Sequence, residues 1–319
     1  ELYVGGLSTS LPPEVQLRML RLIPGMEQVE MTRAGYAIEY DYLPPTQLDR
    51  HLAVKGIPGL YTAGQINGTT GYEEAAGQGA VAGMNAAAFA LGTAPVVVRR
   101  DQGYLGVLVD DLITRGVDEP YRLFTSRAEF RLLLRQDNAL RRMAPIAEAC
   151  GLWSESERDA VMQRLAGEDQ VVRDAEATAI SPAAANVLLA SWGTTPIAEP
   201  VRIAELAKRP GMHLAMMLEA SGIAVHTECA VWAEIELRYA GYLAKERAAA
   251  TRLARHEDTA LPDDLPYLTF TNLSYEAREK LSRIRPATVG QAARVPGVSP
   301  SDLQMLTFEL FRRDSPRLG

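Results

Sequence analysis

The sequence predicts an α/β segment followed by a mainly α-helical C-terminal region. Three observations lead there. A strand, a Gly-rich loop and a helix follow one another between Ile57 and Leu91. Beyond about residue 141 the chain is rich in alanine and in helix-start signals. Charge is also partitioned. Residues 1–98 carry 5 basic and 9 acidic side chains, residues 99–142 carry 9 and 7, and residues 143–319 carry 19 and 24.

Taken in order, Ile57-Pro58-Gly59-Leu60-Tyr61-Thr62-Ala63-Gly64 reads as a turn and a short buried strand. A polar loop from Gln65 to Gly71 comes next. Tyr72 to Leu91 is Ala-rich, with Glu73 and Glu74 in the first turn, where the helix dipole favours acids. Ser126-Arg127-Ala128-Glu129 fits a capping box, so a helix is predicted from Arg127, although Arg131 to Arg135 suits a strand equally. Helices are predicted near 141–150 and 154–179, after Ser181-Pro182, and from Glu228 to Arg255. The last of these has an approximate apolar stripe of Val231, Ile235, Tyr239, Tyr242 and Leu253. Short helices follow at 275–284 after Ser274, at 288–294, and at 300–312, where Ser299 caps and Pro300 takes the first position.

A length of 319 residues suits about two domains, with room for a third. Hydrophobic residues at 47% and charged residues at 23% exclude wholesale disorder. A net charge of −7 excludes a uniformly basic nucleic-acid binder but not a local basic patch. No apolar run approaches the ~18 residues of a membrane helix, and the first residues carry no signal-peptide pattern. Two cysteines, Cys150 and Cys229, are too few for a disulfide framework or a zinc module and read as packing residues. A reducing, cytoplasmic setting fits, with no membrane contact. His51, His213, His226 and His256 are scattered, so no metal site is predicted. Strand and turn signals appear at once after Glu1, so we expect further sequence upstream.

Two features carry chemistry. Gly64-Gln65-Ile66-Asn67-Gly68-Thr69-Thr70-Gly71 lies between strand and helix. Amides at such a helix start hold anions, and glycines let a ligand approach. Gln65, Asn67, Thr69 and Thr70 offer neutral donors and acceptors. An ordinary strand–helix turn suits the pattern equally well. Gly77, Gly79 and Gly83 each cost the helix ~1 kcal/mol, which points to close approach by another backbone, a flat cofactor or a packed strand. The second feature is the basic stretch 121–142, with six arginines against Glu129 and Asp137. Arginine forks bind phosphate, and Tyr121, Phe124 and Phe130 interleave as candidates for stacking on bases. A solvated face paired to Asp110, Asp111 or Glu119 is the alternative.

The block Gly59 to Ala76, the stretches Gly103–Leu112 and Glu119–Asn138, Tyr239-Ala240-Gly241-Tyr242 and the final helices together resemble the MnmG (GidA) family of tRNA uridine 5-carboxymethylaminomethyl modification enzymes. A folate-dependent tRNA methyltransferase family shares the Gln65–Ala76 block but not the 121–142 block or the helical end. The resemblance implies that the α/β segment is the remnant of an FAD-binding Rossmann-like domain. FAD contacts would come from Gly64, Gln65, Asn67, Gly68, Thr69, Thr70 and Gly71, and tRNA contacts from Arg122, Arg127, Arg131 and Arg135. It implies residues 1–98 as the second part of the FAD domain, 99–205 as a tRNA-contacting and linking region, and 206–319 as a helical domain for partner docking.

The implied reaction adds an aminomethyl or carboxymethylaminomethyl group at C5 of the wobble uridine. Methylenetetrahydrofolate and NADH are the co-substrates. The resemblance also implies an MnmE-type GTPase bound to the C-terminal helices and a homodimer within a heterotetramer. In the family, the dinucleotide fold and both catalytic cysteines lie upstream of the part seen here. No catalytic residue is therefore assigned, and the chain alone is expected to be inactive. The alternative is a non-catalytic tRNA- or partner-binding protein formed by this half. Val295-Pro296-Gly297-Val298 looks like a helix–hairpin–helix turn, but the few basic residues nearby argue against a phosphate site there.

Overall fold

The structure is a computed structural model, and it describes residues 1–257 and 259–314, with the side chains of 252–257 and 314 left aside. The chain divides into two compact units, residues 1–42 and 43–319. The first is built around helix α1 (Pro13–Arg21). Its buried Gln16 donates through Nε2 to the carbonyls of Leu11 and Gly35, and accepts from the Gly35 amide at 2.7 Å, so one side chain closes the unit's loops.

The second unit is mainly helical. Helix α2 (Tyr72–Leu91) follows the Gly-rich loop as predicted, and α3 (Tyr104–Arg115) comes next. Every residue of α3 from Gly106 to Thr114 is buried, as expected of a helix wrapped on all sides. Leu48, Leu52, Val81 and Ala82 pack on its Val109 and Ile113. Tyr121, Ala128 and Leu134 cover Leu108, Leu112 and Val107.

Two expectations in this part are corrected. Leu60–Thr62 does not form a buried strand of a sheet. It makes a short pairing with Leu52–Val54, where Val54 N–H donates to Leu60 O (2.8 Å) and Thr62 N–H to Leu52 O (3.2 Å), and Tyr61 and Thr62 are only half-buried. Nor does a helix start at Arg127. A single 3₁₀ turn, Thr125–Arg127, is followed by irregular turns to Asn138. The capping box is lost because Glu129 is drawn away to Arg100.

The remaining helices are α4 (Ala139–Ala149), α5 (Glu155–Ala177), α6 (Pro182–Ser191), α7 (Ile203–Leu206), α8 (Leu214–Glu219), α9 (Thr227–Glu257), α10 (Tyr275–Ile284), α11 (Val289–Arg294) and α12 (Pro300–Asp314). They include two short ones, α7 and α8, that the sequence does not predict and that carry no side-chain cap. Ser154 and Glu157 form a reciprocal capping box on α5, and Ser181, Ser274 and Thr288 cap α6, α10 and α11. Strands β1 (Ala179–Ile180) and β2 (Val201–Arg202) pair antiparallel, Ala179 opposite Arg202.

Helices α5 to α9 share a core containing Val171, Ala175, Leu206, Leu214, Leu218, Ala233 and Leu237. On α9 the buried face is not the predicted stripe. Val231, Tyr239 and Tyr242 are exposed, whereas Cys229, Ala230, Ala233 and Leu237 are buried. Small residues let α5 and α9 approach closely, so size complementarity overrides bulk hydrophobicity. Leu253 lies outside the described side chains. Helices α10 to α12 close over Leu265, Tyr267, Leu281, Leu306 and Leu310. Two polar ties hold this bundle to α3 and its surroundings. Arg294 donates to Asp110 (2.6 Å), and the Lys55 ammonium donates to the last carbonyl of α10, Ile284 O (2.9 Å).

Candidate functional site

The Gly-rich loop is held by an inward-turned amide network. Gly64–Asn67 forms a 3₁₀ turn that ends at Gly68 in the left-handed region (φ 83°), a conformation glycine adopts without steric penalty. Asn67 is 0% exposed. It donates to Thr62 O (3.0 Å) and to Gln78 Oε1 (2.8 Å), and Gln78 Nε2 donates onward to Thr69 Oγ1 (2.8 Å). Gln78 Oε1 also takes the Gly64 amide. One glutamine of α2 therefore braces both ends of the loop. Gln65 and Thr70 are exposed on its outer side.

The arginine segment is bonded directly to this loop. Tyr121 N–H donates to Gly68 O (2.8 Å), beside a parallel bridge between Thr69 and Tyr121. Two residues on, the Glu74 carboxylate on α2 accepts from the Leu123 amide (2.9 Å) and from Arg122 Nε (3.2 Å). Burial alone would push the Glu74 carboxyl up, but the Leu123 amide, Glu74's own amide and Arg122 outweigh it and hold it below the usual carboxylate range.

Beneath the segment lies a buried charge cluster. Arg100 is 5% exposed and donates to Asp111 (2.7 Å), Asp110 (3.2 Å), Glu129 (2.8 Å) and the carbonyls of Val107 and Arg127. Desolvation would lower its pKa, yet Glu129, Asp111 and Asp110 raise it above the ordinary arginine value. Tyr121 Oη donates to Asp111 (2.9 Å), and burial together with the Asp111 charge pushes its phenol well up. The charges that fix the segment are thus internally paired, which such a buried group requires.

Comparison with known proteins shows the family of the chain. The family model described as "Glucose inhibited division protein A" matches residues 1–94. The "tRNA modifying enzyme MnmG/GidA C-terminal helical domain" matches 155–247, and the corresponding C-terminal helical bundle matches 249–316. A tRNA uridine 5-carboxymethylaminomethyl modification enzyme MnmG of Flavobacterium psychrophilum is 47% identical, with 98% of this chain and 51% of the relative covered. One from Roseiflexus castenholzii is 45% identical over 98% of this chain and 47% of the relative. GidA of Aquifex aeolicus in its form II crystal has a TM-score of 0.79 at 43% identity, covering 97% of this chain and 49% of that one. The chain belongs to the MnmG/GidA family. It spans about half the length of the relatives it matches.

Within this MnmG/GidA chain the predicted site residues fall into two kinds. Gln65 and Thr70 face outward, with Gly64, Gly68 and Gly71 shaping the path between them, while Asn67 and Thr69 turn inward to Gln78. Among the arginines, Arg122 and Arg131 are exposed. Arg127 lies over the Tyr121 ring (4.4 Å) and donates to Arg122 O. Arg135 is drawn in by Asp137 (2.9 Å) and Glu236 of α9 (2.8 Å).

The aromatic expectation needs correcting. Tyr121 and Phe130 are buried, and only Phe124, 58% exposed, is on the surface. Gly77 packs on Leu105 of α3, whereas Gly79 and Gly83 have nothing within 4 Å among the described residues. The Val295–Val298 turn is approached by Glu276 and Lys280, an ion pair at 2.6 Å, which leaves no cationic cradle for phosphate.

Sequence reasoning missed Arg100, Glu74 and Gln78 as organisers. Signals for them existed. Adjacent acids Asp110-Asp111 inside the apolar run Leu105–Ile113 call for a buried cation, and Gln78 interrupts an Ala/Gly-rich helix. Among the described residues no three His, Cys, Asp or Glu side chains are grouped to hold a metal, and no helix is long and apolar enough to cross a membrane.

Proposed function

We propose that this chain supplies the cofactor-contacting loop and the RNA-contacting arginines of an enzyme that modifies C5 of the wobble uridine in tRNA. One observation carries the reading. The Gly-rich loop and the arginine segment are hydrogen-bonded into one structure through Gly68–Tyr121 and Glu74–Leu123. A cofactor on the loop and a base presented by the arginines would then be neighbours.

The residues suit FAD. The loop offers two outward polar side chains, Gln65 and Thr70, and the start of α2 carries no side-chain cap, so its first amides face the loop. A buried carboxylate oxygen of Glu74 stands without a partner beside Gly71. FAD, when bound, supplies the redox step between a methylenetetrahydrofolate-derived carbon unit and NADH. This chain's part is to bind and orient. Gln65 and Thr70 contact the cofactor directly. Asn67 and Thr69 keep the loop's shape, with Gly64, Gly68 and Gly71 allowing close approach. Arg122, Arg127 and Arg131 bind tRNA, and Arg135 stands behind them by tying the segment to α9. The regions 1–98, 99–205 and 206–319 then serve cofactor binding, tRNA contact and docking of an MnmE-type GTPase. A homodimer within a heterotetramer, acting in the cytoplasm, completes the assembly. Catalytic chemistry needs residues outside this chain, so the chain alone is inactive.

The test is a tRNA titration of the native-length protein over a range of salt concentrations. Arg131→Ala should weaken binding and reduce the slope of log affinity against log salt by about 0.9, as loss of one phosphate contact predicts. Its stability should change by less than about 0.5 kcal/mol, because the side chain is exposed and makes one long bond, to Thr125 (3.3 Å). An unchanged affinity and slope for both Arg122→Ala and Arg131→Ala overturns the RNA assignment.

A further inference from the structure

Glu74 is 3% exposed, yet only one of its oxygens has a hydrogen-bond partner among the described residues. Oε1 accepts from Leu123 N and Arg122 Nε. Oε2 is buried and has no hydrogen-bond partner among the described residues. Burying a carboxylate oxygen unpaired is costly, so its presence asks for a partner from outside. The direction is given by Gly71. A Cβ built at position 71 would overlap Glu74 Oε2, so the oxygen lies against the loop where the cofactor is placed above.

The charge says which kind of partner fits. An uncapped helix start ordinarily attracts an anion. Here the carboxylate already occupies that place, and a phosphate beside it would meet like charge. A neutral group carrying a hydrogen-bond donor meets the opposite situation, since it satisfies Oε2 and adds no repulsion. Arg122 does not compete for Oε2, being committed to Oε1.

We propose that Glu74 is a two-sided positioning residue. Its Oε2 accepts a hydrogen bond from a neutral donor of the bound cofactor, a ring N–H or a ribityl hydroxyl. Its Oε1 holds Leu123 and Arg122, so that filling the loop also fixes the RNA-facing segment. This rests on the FAD reading above and deepens it.

The test uses the native-length protein and the variant Glu74→Gln. A carboxylate accepts on both oxygens, but an amide accepts on only one. The isosteric variant must therefore lose either the cofactor bond or the Leu123 bond. We expect FAD affinity to fall at least tenfold, with an altered absorption band for the flavin that still binds. Titration with 3-methyl-FAD separates the two donors. If the ring N–H is the donor, wild type and variant bind this analogue alike. If a hydroxyl is the donor, the tenfold gap persists. In wild type, adding FAD should slow hydrogen exchange at 121–124 as well as at 64–75, a readout that holds even if the variant fails to fold. Equal FAD affinity and spectrum in the variant together with unchanged exchange at 121–124, or FAD protection in wild type confined to 64–75, overturns the role of Glu74 while leaving FAD binding intact. Failure of wild type to bind FAD overturns both readings.

Discussion

The region around α3 and the helical region from α5 to α9 are held by different forces. Around α3, irregular chain is fixed by buried charge: Arg100 gathers Asp110, Asp111 and Glu129, and through them Tyr121 and the 121–134 segment. From α5 to α9, regular helices with a shared apolar core do the same work, with one buried carboxylate, Glu168, paired to Arg141 and Arg164, and other pairs such as Arg238–Glu234 partly exposed. A charge cluster has directional, obligatory partners, so it can specify one loop geometry without repeating structure. An apolar core specifies packing only where a helix or strand repeat lines its residues up. The Gly-rich loop and the arginine segment therefore lie on the first kind of scaffold, and the regular helices of the C-terminal region on the second.

The largest expected effect comes from breaking the charge cluster. Arg100→Met keeps much of the volume but takes from Asp110, Asp111 and Glu129 the guanidinium they share, leaving Arg294 on Asp110 and the more distant Arg115 (3.8 Å) and Arg127 (4.0 Å) near Asp111. Removing one partner of a buried ion pair costs about 3–5 kcal/mol. A urea midpoint should report that loss. Hydrogen exchange should accelerate at 121–134 and, through Tyr121 and Gly68, at the Gly-rich loop. A loss below about 1 kcal/mol, or exchange confined to α3, would mean that apolar packing around Leu108 and Leu112 holds this region after all.

The opposite probe is Leu214→Ala on α8, a fully buried residue of the helical core. Truncating such a side chain costs about 2–5 kcal/mol through lost transfer energy and the cavity left behind. The expected loss resembles that of Arg100→Met, but its distribution differs. Faster exchange should appear on α5, α8 and α9 while the Gly-rich loop keeps its protection. If both variants loosen both regions equally, the distinction between the two scaffolds fails.

The same contrast explains what was legible in the sequence. Most helices from α5 onward were readable from local rules, because a cap such as Ser181-Pro182 or Ser274 acts within four residues, whereas the short, uncapped α7 and α8 were not predicted. The buried face of α9 was misjudged because which face is covered depends on α5, a distant stretch of chain that favours Ala230 and Ala233 over Val231 and Tyr239. Around α3 the motif from Gly64 to Gly71 marked a loop before a helix, but not that Asn67 and Thr69 turn inward. That depends on Gln78. Likewise a capping box at Ser126–Glu129 was a sound local inference, overruled when Arg100 claimed Glu129 from 29 residues away. Long-range charge pairing leaves no periodic trace.

The smallest effect sharpens the comparison at its quietest point, the start of α12. Ser299 Oγ donates to Asp302 Oδ2 (2.6 Å) and accepts from the Asp302 amide (3.1 Å), while Asp302 also takes the amides of Ser299 and Ser274. This is a local polar device inside the helical region. Burial alone would push the Asp302 carboxyl up, but the Ser299 hydroxyl and the two amides outweigh it and hold it below its ordinary value. A carboxyl depressed in the folded state contributes stability above its unfolded pKa, and that contribution is lost as pH falls through the folded one. Ser299→Ala should cost about 1 kcal/mol at neutral pH, the usual worth of an N-cap. It should also cost progressively less as the medium is acidified below the ordinary aspartate range, because protonation removes in wild type the acceptor that the hydroxyl bonds. Thermal unfolding of both proteins between neutral and acid pH measures this. A difference that stays constant with pH would mean that the hydroxyl caps the Asp302 amide alone and that the carboxylate takes no part.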